Sequence, residues 1–106
     1  MDLLDLRARI DDIDERILRL FKERMDISLE IAQYKKEHGL PALDASRERD
    51  KLADISEKAG DELRSYANML YKLLFELSRA HQGSVLNAAS ELNGIIANAA
   101  EHTEIV

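Results

Sequence analysis

Two cations placed on an apolar stripe are the residues with chemistry to explain. Between Asp2 and Glu37 the chain has neither Gly nor Pro. Apolar residues recur there at Leu3, Leu6, Ile10, Ile13, Ile17, Leu20, Phe21, Ile27, Ile31 and Tyr34, the spacing of one face of a helix. On a wheel of 100° per residue with Ile10 at zero, Ile17 falls at about 340° and Phe21 at about 20°; Arg24 falls at about 320° and Lys35 at about 340°. A charge held among apolar side chains is costly unless an opposite charge meets it. Either a carboxylate of the protein or an anionic ligand can do so. Arg24 and Lys35 stand about 16 Å apart along the helix axis, and two long side chains can close on a small anion between them. The plainer reading is that both snorkel, with their stems on the core and their heads in water. Two such cations on one stripe, with other polar candidates nearby, favour an anion site.

Those other candidates come from two segments. PALDASRERD, residues 41–50, begins with the only proline and is dense in Asp, Ser, Arg and Glu. Asp44 and Ser46 are both suited to cap a helix, whose first turn then carries Arg47 and Glu48. Arg49 and Asp50 read as surface residues. Further on, Ser78 and Gln82 lie four residues apart at the polar edge of another apolar stripe and project together towards the first helix; taken singly, each reads as an ordinary boundary residue. Arg7 is different. It precedes Arg24 by about 25 Å of helix, too far to share a site within one straight helix, although a second chain running antiparallel brings it there.

The elements that must position these residues are three helices and a tail. The first covers about Asp2 to Glu37 and is roughly 50 Å long, more than a compact monomer of 106 residues accommodates. HGLP, residues 38–41, stops it, with Gly39 just past the end and Pro41 shortly after. The second follows from Asp44 or Ser46, carries Leu52 and Ile55, and ends at Gly60. The third is predicted from near Asp61, with Leu63, Tyr66, Leu70, Leu73, Leu74 and Leu77 on one stripe. Beyond Gln82 the sequence turns rich in Ala and Asn and has no Lys or Arg. Val85, Ala89, Leu92, Ile96 and Ala99 keep helical spacing, which points to a further amphipathic helix, weakened by Gly94.

Composition bounds the function. Strong helix formers, four Gly, one Pro, no Trp and 5% aromatics argue for an aliphatic helical bundle. With 34% charged residues the chain has little apolar surface to bury alone, so self-association is expected. A net charge of −6 weighs against nucleic acid and against anionic membrane surfaces. Cysteine is absent, which removes disulfides and thiolate chemistry. No apolar run approaches a membrane span, and MDLLDLRARI lacks the features of a signal peptide, so the expectation is a cytoplasmic protein.

The pattern LRxxIDxIDxxIxxLxxxRMxISxEIAxYKxxxGLPxxDxxRERxxL, followed downstream by LxxxSRAHQ, closely resembles the all-helical class of chorismate mutase, from residue 4 to about 82. The resemblance implies an all-α, three-helix chain intertwined as a homodimer through its long first helix. It implies a domain over residues 1–82 and an extension over 83–106, partly helical or a linker. It also implies isomerisation of chorismate to prephenate without cofactor or metal. In that arrangement Arg24 and the partner chain's Arg7 bind the substrate carboxylates. Lys35 meets the ether oxygen and a carboxylate, and Gln82 donates to the ether oxygen. Glu48 takes the hydroxyl with the backbone near Asp44, Arg47 lines the site, and Ser78 assists at a carboxylate. Related domains occur fused to other enzymes of aromatic amino-acid biosynthesis, so fusion to such an enzyme is a further expectation. An isochorismate-pyruvate lyase on the same scaffold and a non-catalytic dimerisation module are the competing readings.

Overall fold

The computed structural model describes residues 1–91. They form three α-helices, α1 (Leu3–Glu37), α2 (Ala45–Ala59) and α3 (Arg64–Glu91), and no strand among the described residues. The all-helical class and the long first helix expected from sequence are both found.

Each helix end has a local cause. Asp2 caps α1 by accepting from the Asp5 N–H at 2.9 Å. At the far end Gly39 takes φ +66°, the Gly39 N–H donates to the Lys36 carbonyl, and the Leu40 N–H donates to the Lys35 carbonyl at 2.8 Å. This paired closure reverses the chain and satisfies carbonyls left open by the last turn. Of the two candidate caps for α2, Asp44 is the one used: its carboxylate accepts from the Arg47 N–H at 2.9 Å. Ser46 lies inside the helix. Gly60, at φ +81°, ends α2.

Two sequence expectations shift. α3 begins at Arg64 rather than near Asp61, because residues 61–63 form a turn, so Leu63 precedes the helix. The turn is tied back onto α2 where Arg64 Nε donates to the Ser56 carbonyl and the Asn68 amide donates to Ser56 Oγ. Residues just beyond Gln82 are also not a separate helix: α3 runs through Gly83 to Glu91 without a break. Leu92, Gly94, Ile96 and Ala99 lie outside the described residues.

α3 is the hub. α1 and α2 each pack against it, and their backbones do not approach one another. The buried core is correspondingly small, with Ala32, Phe75 and Ser78 its only buried members among the described residues. All of α1 up to Leu20 is exposed, including the stripe Leu3, Leu6, Ile10, Ile13 and Ile17; Ile10 is 56% and Ile17 58% exposed. The radius of gyration is 17.8 Å, against about 12–13 Å for a compact domain of this length. No helix among the described residues is long and apolar enough to cross a membrane.

Candidate functional site

The three helices enclose a cleft of about 500 Å³ on the C-terminal half of α1. It is lined by Arg24, Ser28 and Lys35 from α1, by Asp44, Arg47, Glu48 and Lys51 from the start of α2, and by Ser78, Arg79 and Gln82 from α3. Leu20, Ile27, Ile31 and Phe75 supply its apolar surface. Seven of the eight residues singled out from sequence therefore meet here. Arg7 does not: it is exposed, on the part of α1 that no other described residue covers.

Arg24 is half-buried. Its guanidinium donates to Ser78 Oγ at 3.1 Å and lies 5.7 Å from the centre of the Phe75 ring. Ser78 is only 5% exposed. It faces α1 squarely rather than sitting at the edge of a stripe, because α3 crosses α1 at this level and Ser78 Oγ also touches Met25 Sδ. No carboxylate among the described residues pairs with Arg24 or with Lys35. Of the two ways to neutralise them, a carboxylate among the described residues is therefore not used.

Lys35 projects from the last turn of α1, and its ammonium donates to the Ala42 carbonyl at 3.3 Å. The glycine closure at 38–40 makes this contact, since it folds residues 41–44 back beside the helix end. An ammonium has three N–H donors, so this contact leaves others for a ligand. Gln82, one turn beyond Ser78, donates its amide to the Ser28 carbonyl at 3.0 Å and to Ser28 Oγ. It is thereby held against α1.

Arg79 and Ser28 were missed by sequence reasoning. Arg79 forms an ion pair with Glu48 that joins α3 to the first turn of α2. Its signal was available in principle, because Arg79 immediately follows Ser78 in a segment already singled out. Its partner lies 31 residues away, however, and no pattern in the chain specifies that pairing. Lys51, one helical turn after Arg47, also lines the cleft and was not anticipated.

The charge balance of the cleft is opposite to that of the protein. Among the described residues, five cations line it (Arg24, Lys35, Arg47, Lys51 and Arg79) against three carboxylates, Glu23, Asp44 and Glu48. The lining is thus net positive by two in a chain whose net charge is −6. Oppositely charged walls of low dielectric concentrate a small anion there. Among the described residues no cluster of His, Cys, Asp or Glu is arranged to hold a metal ion.

Fold and cleft together define a small all-helical protein with a cationic pocket between three helices. The chain belongs to the chorismate mutase type II family, which it matches over residues 6–83. It is 27% identical over 94 residues to a chorismate mutase of Methanocaldococcus jannaschii, covering 86% of this chain and 94% of that protein. It is 33% identical over 89 residues to a bifunctional chorismate mutase/prephenate dehydratase of Buchnera aphidicola, covering 81% of this chain but 23% of that longer protein. A third relative is a 4-amino-4-deoxychorismate mutase of Streptomyces venezuelae, 28% identical over 81 residues, with 74% of this chain and 79% of that protein covered. The chain thus spans about a quarter of the bifunctional relative and nearly all of the Methanocaldococcus one. No solved structure gave a significant match.

Proposed function

We propose that this protein is a chorismate mutase, converting chorismate to prephenate in the cleft between α1, α2 and α3. The observation that carries the reading is the net charge of +2 on the cleft lining, which complements a substrate with two carboxylates. The family and the names of the relatives support it.

The reaction is an intramolecular Claisen rearrangement. One C–O bond breaks as one C–C bond forms, with no proton, electron or group exchanged with the protein. The site has two tasks: to hold a flexible dianion in its folded, reactive conformer, and to stabilise charge that develops on the ether oxygen. Arg24 suits the first, because its hydrogen bond to Ser78 and its place over Phe75 fix the guanidinium while further N–H donors stay available for a carboxylate. Ser78 adds a hydroxyl beside it, and Arg47 lines the opposite wall. Lys35 and Gln82 suit the second task. Both are N–H donors, and each now donates to protein oxygens that a bound ether oxygen would replace or join. Donors that tighten as the C–O bond lengthens raise the rate rather than only the affinity. Glu48 is the carboxylate that the family resemblance assigns to the substrate hydroxyl. The substrate hydroxyl is the one strong hydrogen-bond donor on an otherwise acceptor-rich dianion, and a carboxylate is the group to receive it. Asp44 holds the first turn of α2, and with it Arg47 and Glu48, in place.

The working form is an intertwined homodimer. The stripe of α1 that stays exposed among the described residues supports this, as does the position of Arg7 on that same half. A second copy packed antiparallel along α1 buries the stripe and carries its Arg7 to this chain's cleft, where it meets the second substrate carboxylate. Each half-exposed Leu or Ile so covered contributes about 1 kcal/mol. Residues 1–82 constitute the catalytic domain, with 83–106 an extension of it, and the enzyme acts in the cytoplasm. Fusion to another enzyme of the same pathway, seen in the name of the Buchnera relative, is compatible with this arrangement.

Incubation of the purified protein with chorismate, followed by loss of substrate and appearance of prephenate, tests the proposal. Absence of turnover, or release of pyruvate from isochorismate in its place, would refute it.

A further inference from the structure

Arg79 is not used in the mechanism above, yet it lies in the cleft and pairs with the single carboxylate assigned to the substrate hydroxyl. We infer that Arg79 is a positioning residue that aims Glu48 and sets the cleft to accept a hydroxyl and reject a protonated amine at the same place on the substrate. The inference rests on the proposed function and deepens it.

Three observations carry it. First, the pair is partly shielded: the Glu48 side chain is 28% exposed and that of Arg79 is 39% exposed, so solvent screens it less than a surface pair. Second, it bridges two helices. Glu48 sits in the first turn of α2 and Arg79 on α3, one residue after Ser78, whose hydroxyl accepts from Arg24. The pair therefore fixes the direction of the Glu48 carboxylate relative to the groups that hold the rest of the dianion. Third, Glu48 Oε2 is the atom Arg79 occupies, which leaves Oε1 as the better-placed acceptor for a substrate donor.

The consequence for selectivity is electrostatic. An unpaired glutamate attracts an ammonium group more strongly than a hydroxyl. With the Arg79 guanidinium at its side, the same carboxylate remains a hydrogen-bond acceptor, but the local field is close to neutral, and an ammonium placed there stands within a few ångströms of a fixed cation. A relative of this chain bears the name of a mutase for 4-amino-4-deoxychorismate, in which an amine replaces the hydroxyl. That compound is the natural probe.

The test measures kcat/KM for chorismate and for 4-amino-4-deoxychorismate with the full chain and with Arg79→Met, Arg79→Lys, Glu48→Gln and Arg79→Met/Glu48→Gln. The ratio of the two values is the readout, because a loss of folded protein lowers both equally and leaves the ratio alone. Arg79→Met is expected to lower the ratio of chorismate to amino-analogue efficiency about tenfold or more, and Arg79→Lys, which keeps a cation beside Glu48, to restore most of it. In the Glu48→Gln background, adding Arg79→Met is expected to change the ratio less than twofold, since the effect acts through Glu48. A ratio unmoved by Arg79→Met overturns the inference, as does an equal change with and without Glu48. Failure of the unaltered protein to convert either compound overturns the proposed function and this inference with it, whereas normal chorismate turnover with an unmoved ratio removes the inference alone.

Discussion

Replacing Arg24 by Ala separates a ligand-binding cation from a structural one, and the structure sets the size of each effect. Among the described residues Arg24 makes one hydrogen bond, to Ser78, and one cation–π contact, with Phe75. The first contributes about 0.5–1.5 kcal/mol and the second about 0.5–1 kcal/mol at a partly exposed site. Since no carboxylate among the described residues is paired with Arg24, its removal strands no buried negative charge. The loss of stability is therefore about 1–2.5 kcal/mol. Catalysis loses more. A guanidinium clamped on a substrate carboxylate makes two charge-assisted hydrogen bonds of about 1.5–3 kcal/mol each, which places the fall in kcat/KM at about 10²–10⁴-fold. Arg24→Lys keeps the charge but loses the planar fork, and should recover only part of the activity. Chorismate consumption followed by absorbance, together with thermal unfolding by circular dichroism, measures both quantities on the same samples. An Arg24→Ala protein that turns over chorismate normally while folded, but unfolds easily, refutes the reasoning: the residue would then serve the fold.

Three further outcomes are expected. Asp44→Ala removes the cap of α2 and should lower stability by about 1 kcal/mol in denaturant titration; kcat/KM should fall as well, because Arg47 and Glu48 ride on the freed turn. Gln82→Ala should reduce kcat by about ten- to a hundredfold, while Ser28→Ala, which removes only a resting partner of the Gln82 amide, should change it less than threefold; similar losses from both would show that the Ser28 contact is structural. Ile10→Glu places a charge in the uncovered stripe of α1 and should yield a species of single-chain mass with reduced helicity in sedimentation and circular dichroism, and unchanged dimer mass would contradict the packing proposed for that stripe.

Much of this was legible in the sequence because the signals were local or periodic. The absence of Gly and Pro from Asp2 to Glu37 fixed the length of α1, and the glycine at 39 fixed its end. The helical phase of Arg24 and Lys35 places two cations on an apolar stripe, which calls for an anionic partner from the protein or from a ligand. Where the signal needed the third dimension, the sequence was silent. Asp44 and Ser46 were equivalent as caps until the carboxylate was seen on the Arg47 N–H. The turn at 61–63 looked like the start of α3 because Leu63 continues the stripe of that helix back into the turn. Ser78 looked like an edge residue because the wheel of α3 does not show which neighbour crosses it. The pairing of Arg79 with Glu48 joins residues on different helices, and neither residue type nor spacing predicts it.

The central claim is that each cationic cleft is completed by Arg7 of a second chain, and subunit complementation tests it most directly. Arg7→Ala and Lys35→Ala chains, each nearly inactive alone, are mixed in equal amounts under conditions that exchange subunits. If a site takes Lys35 from its own chain and Arg7 from the other, one site of a mixed dimer receives both defects and the other neither. Random exchange makes about half the dimers mixed, so roughly a quarter of the unaltered activity should return. No recovery, with mixed dimers demonstrated by mass, would contradict the account: Arg7 would then act in its own chain's site or have no part in catalysis.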